Sequence, residues 1–374
     1  MRPGEPEWSL GLAWLAHALG RDLQRAARAA GGPGPLWEAD AHRLGQCLGG
    51  GGEVAERAVA ARAAFRVREA TEALALRGIV HLCRSAPVYP SRLRTIFDPP
   101  FGLFGVGAVV PALTTAEAAP VVGIVGSRRP SGAGRRLADD LAADLARRGA
   151  VVVSGLARGI DAAAHEGALR AGGITIAVLG SGVEQVHPRR HVALAGRIGA
   201  RGAVMSEYWP GTEPAPWRFP ARNRIVAGLC DAVVVVEAAA RSGALITADF
   251  ALEHGIPVLA VPGWPGSDLS AGCNALIRAG AALCEGADDV VAEVPHRAWT
   301  DAPAPVSATG PAAAVLAELA REPAGVDRLA EACDLPHATV AVALAALEMD
   351  GMVAREDGGV FRAVPRGAGR ARGA

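Results

Sequence analysis

The sequence predicts an α/β protein whose central sheet consists of parallel strands, with smaller modules on either side of it in the chain. Between residues 121 and 291, short apolar runs alternate with helical patterns, and this strand–helix–strand order is typical of a parallel sheet. The runs are apolar throughout, as strands buried on both faces should be. A glycine or small polar cluster follows almost every run. Because the carboxyl ends of parallel strands meet at one edge, these clusters should line a single ligand-binding crevice.

Composition limits the function classes. The 374-residue chain is 51% apolar and 20% charged, enough for one large core and one or two small modules, and its formal net charge is +0. A neutral chain has no global basic field, so any anion site must be local. All 38 Lys+Arg residues are arginine, which the codon bias of a GC-rich genome explains. The absence of lysine excludes a Walker A loop and a Schiff-base or pyridoxal phosphate enzyme.

The cysteines and histidines predict no metal and no disulfide. The six cysteines are scattered without a C-x-x-C pair, and several lie in apolar patterns, which indicates reduced core residues. The nine histidines are dispersed along the chain, and the close cysteine pairs that a structural zinc site would need are absent. No charged n-region precedes an apolar h-region, and the longest apolar runs are of strand length. We therefore expect a cytoplasmic protein with no cofactor, no metal and no membrane contact.

The first 120 residues predict a helical domain followed by a connector. Residues 1–80 are rich in Ala, Leu and Arg with helical spacing, interrupted by glycine-rich turns at 31–34 and 49–52. A SAM-like or helix-hairpin-helix-like module that grips a phosphate is one interpretation. A purely structural role is favoured. The prolines of residues 78–107 predict an ordered connector, and residues 108–119 a further link.

Residues 81–292 are expected to form the main domain. Its predicted strands cover residues 121–126, 151–154, 174–179, 203–205, 231–237, 256–261 and 281–284. After the first strand, Gly126-Ser127-Arg128 leads into a helix whose free amides, dipole and neighbouring guanidiniums predict an anion cradle. The spacing is not G-x-G-x-x-G, and Ser154-Gly155 stands where a dinucleotide enzyme carries its ribose-binding acid. A phosphate from a source other than NAD is therefore favoured.

The second loop, residues 154–161, contains two glycines and Arg158 and leads into another helix. Ser154, Asp161 and His165 could form an acid–base group, since Asp161 and His165 are four residues apart and share a helix face. The favoured interpretation is structural, with Asp161 as the helix N-cap and His165 as a packed core residue.

The passage from 208 to 225 combines rings with arginines in a chain that is only 4% aromatic. The rings are Tyr208, Trp209, Trp217 and Phe219, and the arginines are Arg218, Arg222 and Arg224. Rings that stack bases, alternating with guanidiniums that hold phosphates, are typical of single-stranded nucleic acid binders. Neighbouring prolines predict an irregular surface loop, where exposed rings are costly without a ligand. Nucleic acid binding is therefore favoured over core packing.

Five ordered motifs between residues 88 and 290 resemble the DNA-processing protein A (DprA, or Smf) family. They are Gly126-Ser127-Arg128; Ser154-Gly155-Leu156-Ala157-Arg158-Gly159-Ile160-Asp161; Arg222-Asn223-Arg224-Ile225-Val226-Ala227-Gly228-Leu229; Ser242-Gly243-Ala244-Leu245-Ile246-Thr247; and Pro262-Gly263 followed by Gly272-Cys273-Asn274-Ala275-Leu276-Ile277. The resemblance implies an extended Rossmann-like domain that binds and protects single-stranded DNA and loads the RecA recombinase in natural transformation. It also implies a helical N-terminal domain, a homodimer and no enzymatic activity.

The resemblance and the ring-rich passage together give the expected DNA contacts. These are Gly126, Ser127, Arg128, Ser154, Gly155, Ala157, Arg158, Trp217, Phe219, Arg222, Asn223, Arg224, Ser242, Gly243 and Thr247. The arginines at 128, 222 and 224 are expected to converge on consecutive phosphates, with backbone amides of Ser127, Gly155 and Gly243 completing the cradle. The chain departs from the family in two places, with Ile174 where lysine is common and His187 where tyrosine is usual.

A nucleotide phosphoribohydrolase is the rival interpretation from the enzyme class. In those enzymes a glycine-rich loop lies near a catalytic acid, and Glu237 with Arg241-Ser242-Gly243 resembles that arrangement. Their P-G-G-x-G-T loop is replaced here by Arg-Ser-Gly-Ala-Leu-Ile-Thr, so hydrolysis fits less well.

The C-terminal region predicts a second module. Residues 293–310 are rich in proline and alanine and predict a linker. Residues 311–365 show three short helices and a strand pair, the pattern of a winged helix. Its third helix, about 336–349, contains His337 and Thr339 but no arginine, which favours a protein-binding or accessory role over reading a DNA major groove. Residues 366–374 predict a short basic tail.

Overall fold

The computed structural model describes residues 4–49, 52–300, 310–349, 352–356 and 358–363. The chain divides into two compact units, with the division between Thr300 and Asp301. The predicted basic tail, half of the linker and Asp357 of the predicted strand turn lie outside the described residues.

Helices come first in the chain, as expected. Those before the sheet are α1 (Glu5–Leu19), α2 (Gln24–Ala30), α3 (Pro33–Glu38), α4 (Ala41–Leu48), α5 (Gly52–Ala64) and α6 (Val67–Leu76). Leu12, Leu15, Leu23, Leu36 and Leu44 are fully buried among them. The predicted all-α character of this region is confirmed.

The sheet and its helices follow. They are β1 (Val80–Cys83), α7 (Ser91–Thr95), β2 (Gly102–Gly107), α8 (Val109–Ala118), β3 (Val121–Gly126), α9 (Gly132–Arg147), β4 (Val151–Ser154), α10 (Ile160–Arg170), β5 (Thr175–Val178), α11 (Val192–Arg201), β6 (Ala203–Ser206), α12 (Arg218–Gly228), β7 (Ala232–Val236), α13 (Gly243–Glu253), β8 (Val258–Ala260), α14 (Ala271–Arg278), β9 (Ala282–Leu283) and α15 (Ala287–Glu293). Within the described residues the strand order is β1-β2-β6-β5-β4-β3-β7-β8-β9. Strands β3 to β9 run parallel, as predicted.

The central strands are buried on both faces. Val121 and Val125 of β3 join the apolar cluster that includes residues of α12 and α13, whereas Val122 and Ile124 join the cluster that includes α9 and α10. Successive side chains of a strand point to opposite faces, so a strand covered on both sides must be apolar at every position.

The expected connector at 78–107 is part of the sheet instead, and residues 108–119 form helix α8 rather than a link. Strand β1 pairs antiparallel with β2, and β2 pairs antiparallel with β6, so the sheet is mixed. The glycines of β2 interrupt its apolar pattern, so the sequence did not predict this strand. A Cβ at Gly102 would lie 2.5 Å from Ser9 Oγ, and one at Gly105 would lie 2.7 Å from Val109 Cγ2. These glycines allow α1 and α8 to approach the strand closely.

Helix α12 replaces the second half of the loop that was predicted around residues 208–225. Pro220 lies in its first turn, where the missing N–H has no intrahelical acceptor in any case. The helix therefore holds Arg222 and Arg224 in fixed positions on a regular scaffold.

The N-terminal helices pack against the sheet within the first compact unit. Trp14 of α1 and Trp209 have ring centroids 5.4 Å apart, and Ser9 Oγ donates to Phe101 O at 2.7 Å. His17 Nδ1 lies 2.9 Å from Thr212 Oγ1. These contacts place α1 beside the loop that follows β6.

The second unit is a winged helix, as predicted. Its elements are α16 (Pro311–Leu319), β10 (Ala324–Gly325), α17 (Val326–Cys333), α18 (His337–Met349), β11 (Val353–Arg355) and β12 (Val360–Ala363). The strands form an antiparallel sheet in the order β10-β12-β11, and Val315, Leu329, Leu344 and Phe361 lie in the core. Among the described residues no single helix is long and apolar enough to cross a membrane; α17 and α18 pass that test only as a pair bent by 110°.

Candidate nucleic-acid interface

A pocket lies where the direction of the sheet connections reverses. From β3 the chain proceeds through β4, β5 and β6 on one side, then returns to place β7 on the other side of β3. The loops after β3 and β7 diverge at this point, which is where open α/β sheets bind ligands. The pocket encloses about 360 Å³.

Eleven of the fifteen predicted contacts line this pocket. They are Gly126, Ser127, Arg128, Gly155, Ala157, Phe219, Arg222, Asn223, Ser242, Gly243 and Thr247. Ser154, Arg158, Trp217 and Arg224 do not line it. Residues that are as many as 121 positions apart in the chain therefore meet at one crevice.

Arg128 is the exposed cation of the pocket. Its guanidinium carbon lies 5.7 Å from the centre of the Phe219 ring, and it makes no ion pair among the described residues. The His187 ring lies 5.6 Å from the same phenyl ring. A cation and an aromatic face are thus presented together at the pocket wall, which suits a phosphate and the base next to it.

Arg222 is buried and holds the second loop. It is 4% exposed, and its Nη1 donates to Gly155 O at 2.7 Å and to Val178 O. Burial lowers the pKa of Arg222, and the nearby carboxylate of Asp161 opposes this effect. Nη2 has no hydrogen-bond acceptor within the described part of the chain. Arg222 therefore has a structural role and leaves one donor edge at the pocket.

Asp161 organises the loop between β4 and α10, a role that the sequence interpretation missed. Its Oδ2 accepts from Gly155 N at 3.1 Å and from Ala157 N at 3.2 Å. Burial raises the pKa of Asp161, while Arg222 and these two amides oppose the rise. The signal available in the sequence was an acid, Asp161, that follows Gly155 by six residues at the end of the glycine-containing loop. The expected use of the Gly155 amide for phosphate is wrong, because Asp161 already occupies it.

The amino terminus of α9 is also occupied, so the anion cradle predicted there is wrong. Glu237 Oε2 accepts from Ser131 N at 2.8 Å, and Oε1 accepts from Ser131 Oγ at 2.5 Å. Ser127 N donates to Glu237 O at 2.7 Å, so that amide is also engaged. Glu237 does not line the pocket. Its carboxylate caps the amino terminus of α9 through Ser131.

Unlike that of α9, the amino terminus of α13 is bound by no carboxylate among the described residues. Ser242 is its N-cap and accepts from Ala244 N at 3.3 Å, while Gly243 N has no acceptor in the described chain. Asn223 Nδ2 donates to Gly243 O at 3.2 Å and joins this turn to α12. Thr247 lies one turn further along α13, at the pocket wall. The unpaired amide of Gly243 and the positive end of the helix dipole favour an anion here.

Arg224 is committed to an internal ion pair. Its two terminal nitrogens each lie 2.6 Å from a carboxylate oxygen of Glu207, and its Nε donates to Asp98 O at 2.8 Å. Burial alone would lower the pKa of Arg224, but the attraction of Glu207 outweighs it and raises the pKa. A guanidinium held at both ends in this way is not free to bind a phosphate, so Arg224 is not proposed as a DNA contact.

The acid–base group considered from the sequence does not form. Ser154 Oγ donates to Ile124 O at 2.6 Å, and His165 Nδ1 pairs with Thr175 Oγ1 at 2.7 Å. Burial lowers the pKa of His165 to about 3. The packed-histidine interpretation is confirmed, but the N-cap of α10 is Gly159 rather than Asp161. In the described residues no group of His, Cys, Asp and Glu side chains could hold a metal ion.

The four rings of the predicted stacking passage divide between core and surface. Trp209 packs with Trp14, and also with Phe65 at 6.2 Å and Phe104 at 5.7 Å between centroids, so it is partly buried against the core. The predicted exposure of Trp209 is therefore wrong. Phe219 lines the pocket, whereas Trp217 is 42% exposed and faces a separate, smaller groove.

A family comparison accounts for most of the first unit. The sequence model of the DNA recombination-mediator protein A family matches residues 81–295, more than half of the chain. The chain belongs to this family. The DprA winged helix domain matches residues 300–359, in agreement with the second unit. The predicted family resemblance is confirmed.

Named relatives extend the similarity along the chain. A relative from Mycobacterium tuberculosis that carries the DprA name is 39% identical over 360 residues, covering 90% of each chain. The DNA processing protein DprA of Streptococcus pneumoniae is 45% identical over 205 residues, which are 55% of this chain and 71% of the relative. Protein Smf of Escherichia coli is 38% identical over 285 residues, which are 73% of this chain and 75% of the relative.

Two solved structures share the fold. DNA processing protein A from Streptococcus pneumoniae superposes with a TM-score of 0.64 at 35% identity, covering 79% of this chain and 99% of that one. DNA processing protein A from Helicobacter pylori, whose structure is described as showing a single-stranded DNA binding mode, gives a TM-score of 0.52 at 28% identity, with 58% and 96% covered.

Proposed function

We propose that this protein binds single-stranded DNA, with one backbone phosphate in the pocket between β3 and β7. The observation that carries the proposal is the convergence of three donors that are not otherwise engaged among the described residues. They are the guanidinium of Arg128, Nη2 of Arg222 and the amide of Gly243 at the start of α13. A phosphate oxygen accepts from all of these donor types.

The ring of Phe219 extends the proposal from a phosphate to a nucleotide. A base stacks on an aromatic face only when it is not already stacked within a duplex, so this wall favours single strands. Membership of the DNA recombination-mediator family and the single-stranded DNA described for the Helicobacter pylori relative both support this choice of ligand.

The direct test compares fluorescently labelled oligo-dT with a duplex of the same length. We expect tighter binding of the single strand, and Phe219→Ala should weaken it by about 5- to 150-fold, the effect of one lost stack. Arg129→Ala is a matched control, because Arg129 is also exposed and adjacent to Arg128 but does not line the pocket. Equal affinity for duplex and single strand would overturn the proposal.

We further propose that the bound strand is passed to the RecA recombinase, as the family resemblance implies. The description of the family as a recombination mediator supports this partner. Assembly of RecA on a labelled single strand should be faster in the presence of this protein, and Arg128→Ala should remove the acceleration. Unchanged assembly rates at saturating protein would refute the loading function while leaving DNA binding intact.

A homodimer is the assembly that we propose from the same resemblance. Large apolar side chains are exposed on elements that follow β7 in the chain: Leu252 on α13, Trp264 after β8 and Leu283 on the edge strand β9. Apolar exposure of this kind favours an interface. Light scattering should give twice the chain mass, and Leu283→Asp should reduce it. A monomer at micromolar concentration would argue against the proposal.

We propose that the protein acts by binding rather than by catalysis. The position of Glu237 under the amino terminus of α9 supports this, since its carboxylate is engaged by Ser131. Incubation with nucleoside monophosphates should release no free base. Release that disappears in Glu237→Gln would favour the hydrolase instead.

A further inference from the structure

A second depression lies between the N-terminal helices and the loop that follows β6, and we refer to it as the helix–loop groove. On one side it is lined by His17 and Arg21 from the end of α1 and the turn after it. On the other side it is lined by Tyr208, Trp217 and Arg218. Its enclosed part is about 40 Å³, so it is an open groove rather than a deep cavity.

The groove and the pocket are joined through the start of α12. Phe219 lines the pocket and Trp217 lines the groove. Residues two positions apart at a helix start point to different sides, so the two rings face separate sites only a short step apart. A single strand that leaves the pocket over Phe219 would reach Trp217 next.

Arg218 lies between two rings in the groove. Its guanidinium carbon is 4.9 Å from the centre of the Trp217 ring and 5.4 Å from that of Tyr208. Its Nη1 donates to Glu213 O, while its Nε is buried and has no hydrogen-bond acceptor among the described residues. A buried donor without an acceptor is unfavourable. An oxygen atom of a ligand in the groove would supply the acceptor.

The charges of the groove favour an anion. Arg21 is exposed and makes no ion pair in the part of the chain that the structure describes. Of the two acids in the lining, Glu207 is paired with Arg224, whereas Asp22 accepts from Gln24 N at 2.8 Å and keeps its negative charge. The groove therefore presents two arginines, Arg21 and Arg218, against one carboxylate, Asp22, that has no arginine partner among the described residues, an excess of one positive charge.

From this arrangement we propose that the helix–loop groove is a second nucleotide subsite of the same single strand. A base stacks on the exposed face of Trp217, and its phosphate lies between Arg21 and Arg218. This inference rests on the proposed function, since it assumes that a single strand occupies the pocket. It assigns a DNA contact to the N-terminal helices, through Arg21.

A length series of oligo-dT with the full chain tests the subsite. Strands too short to reach beyond the pocket should bind the wild type and Arg21→Ala equally. With longer strands, Arg21→Ala should lower the slope of log affinity against log salt by about 0.7, the effect of one phosphate contact. Trp217→Ala should weaken binding by about 5- to 150-fold, and Trp217→Phe should restore most of it. Arg25→Ala is the matched control, since Arg25 is exposed on α2 outside the groove.

A second readout does not depend on affinity. An oligonucleotide with 5-iodouracil in place of thymine should cross-link to Trp217 on irradiation when the strand is long, and the yield should fall in Arg21→Ala. If Phe219→Ala weakens binding but Arg21→Ala and Trp217→Ala match the wild type at every length, the subsite is refuted and the pocket stands. If the wild type binds no oligonucleotide of any length, both proposals fail.

Discussion

The contrast between Arg128 and Arg224 is the sharpest test of the site, because both arginines belong to motifs of the same family and yet have opposite roles in the structure. Arg128 is exposed at the pocket without an ion pair in the described chain, whereas Arg224 is 6% exposed and held by Glu207. Arg128→Ala should therefore weaken DNA binding and leave stability nearly unchanged. Arg224→Ala should lower the stability and leave DNA binding nearly unchanged.

The expected changes in Kd and in the free energy of unfolding follow from the environments of the two arginines. A charged hydrogen bond to phosphate contributes about 1.5 to 3 kcal/mol, so Arg128→Ala should raise Kd by about 10- to 150-fold. One released counterion should also lower the salt slope by about 0.7. In Arg224→Ala the carboxylate of Glu207 stays buried without its partner, which should lower the free energy of unfolding by about 3 to 5 kcal/mol.

Fluorescence anisotropy of labelled oligo-dT from about 50 to 200 mM NaCl gives the slope, and chemical denaturation gives the stability. Arg321→Ala, on the winged-helix unit, should change neither quantity beyond the scatter of surface substitutions. If Arg128→Ala loses stability and keeps the wild-type slope, Arg128 has an internal structural role and the proposed phosphate site is wrong.

Other predictions follow from particular contacts. Trp209→Ala should destabilise the fold by up to about 3 to 5 kcal/mol, since this partly buried ring packs against the core, while the Kd for oligo-dT short enough to occupy the pocket alone stays unchanged; a large change in that Kd at constant stability would contradict this. Glu207→Gln leaves a buried guanidinium without its counter-charge and should lower the melting temperature, with no change in salt slope. Burial lowers the pKa of His81 to about 4. Below its unfolded pKa of about 6.5 the unfolded state binds a proton that the folded state does not, so stability should fall by up to about 3 kcal/mol as pH drops toward 4. Denaturation at several pH values should show a smaller drop in His81→Gln. A chain truncated after Thr300 should keep wild-type affinity for short oligo-dT, because the pocket lies entirely in the first unit; loss of affinity in a folded truncation would show that the second unit contributes.

The sequence by itself determined the parallel core and the place of the pocket. Strands such as β3 and β4 are apolar at nearly every position because both faces are covered, and this pattern needs no tertiary information to recognise. Glycine and serine clusters at the carboxyl ends of the strands then predicted the crevice, since parallel strands bring those ends to one edge. Seven of the predicted contacts lie in these clusters and meet there for this reason: Gly126, Ser127, Arg128, Gly155, Ala157, Ser242 and Gly243.

Only the tertiary structure decided which polar groups remain available at that edge. An arginine in a motif looks the same whether it faces a ligand or an internal acid, and the partners that decide are distant in sequence. Glu207 is 17 positions from Arg224, and Glu237 is 106 positions from Ser131. The same holds for Trp209, whose exposure depends on α1 packing against it. Long-range packing therefore determines whether a charged or aromatic side chain is available to a ligand or packed in the protein. A buried charge needs a partner, because burying it unpaired costs more free energy than the local sequence pattern can offset.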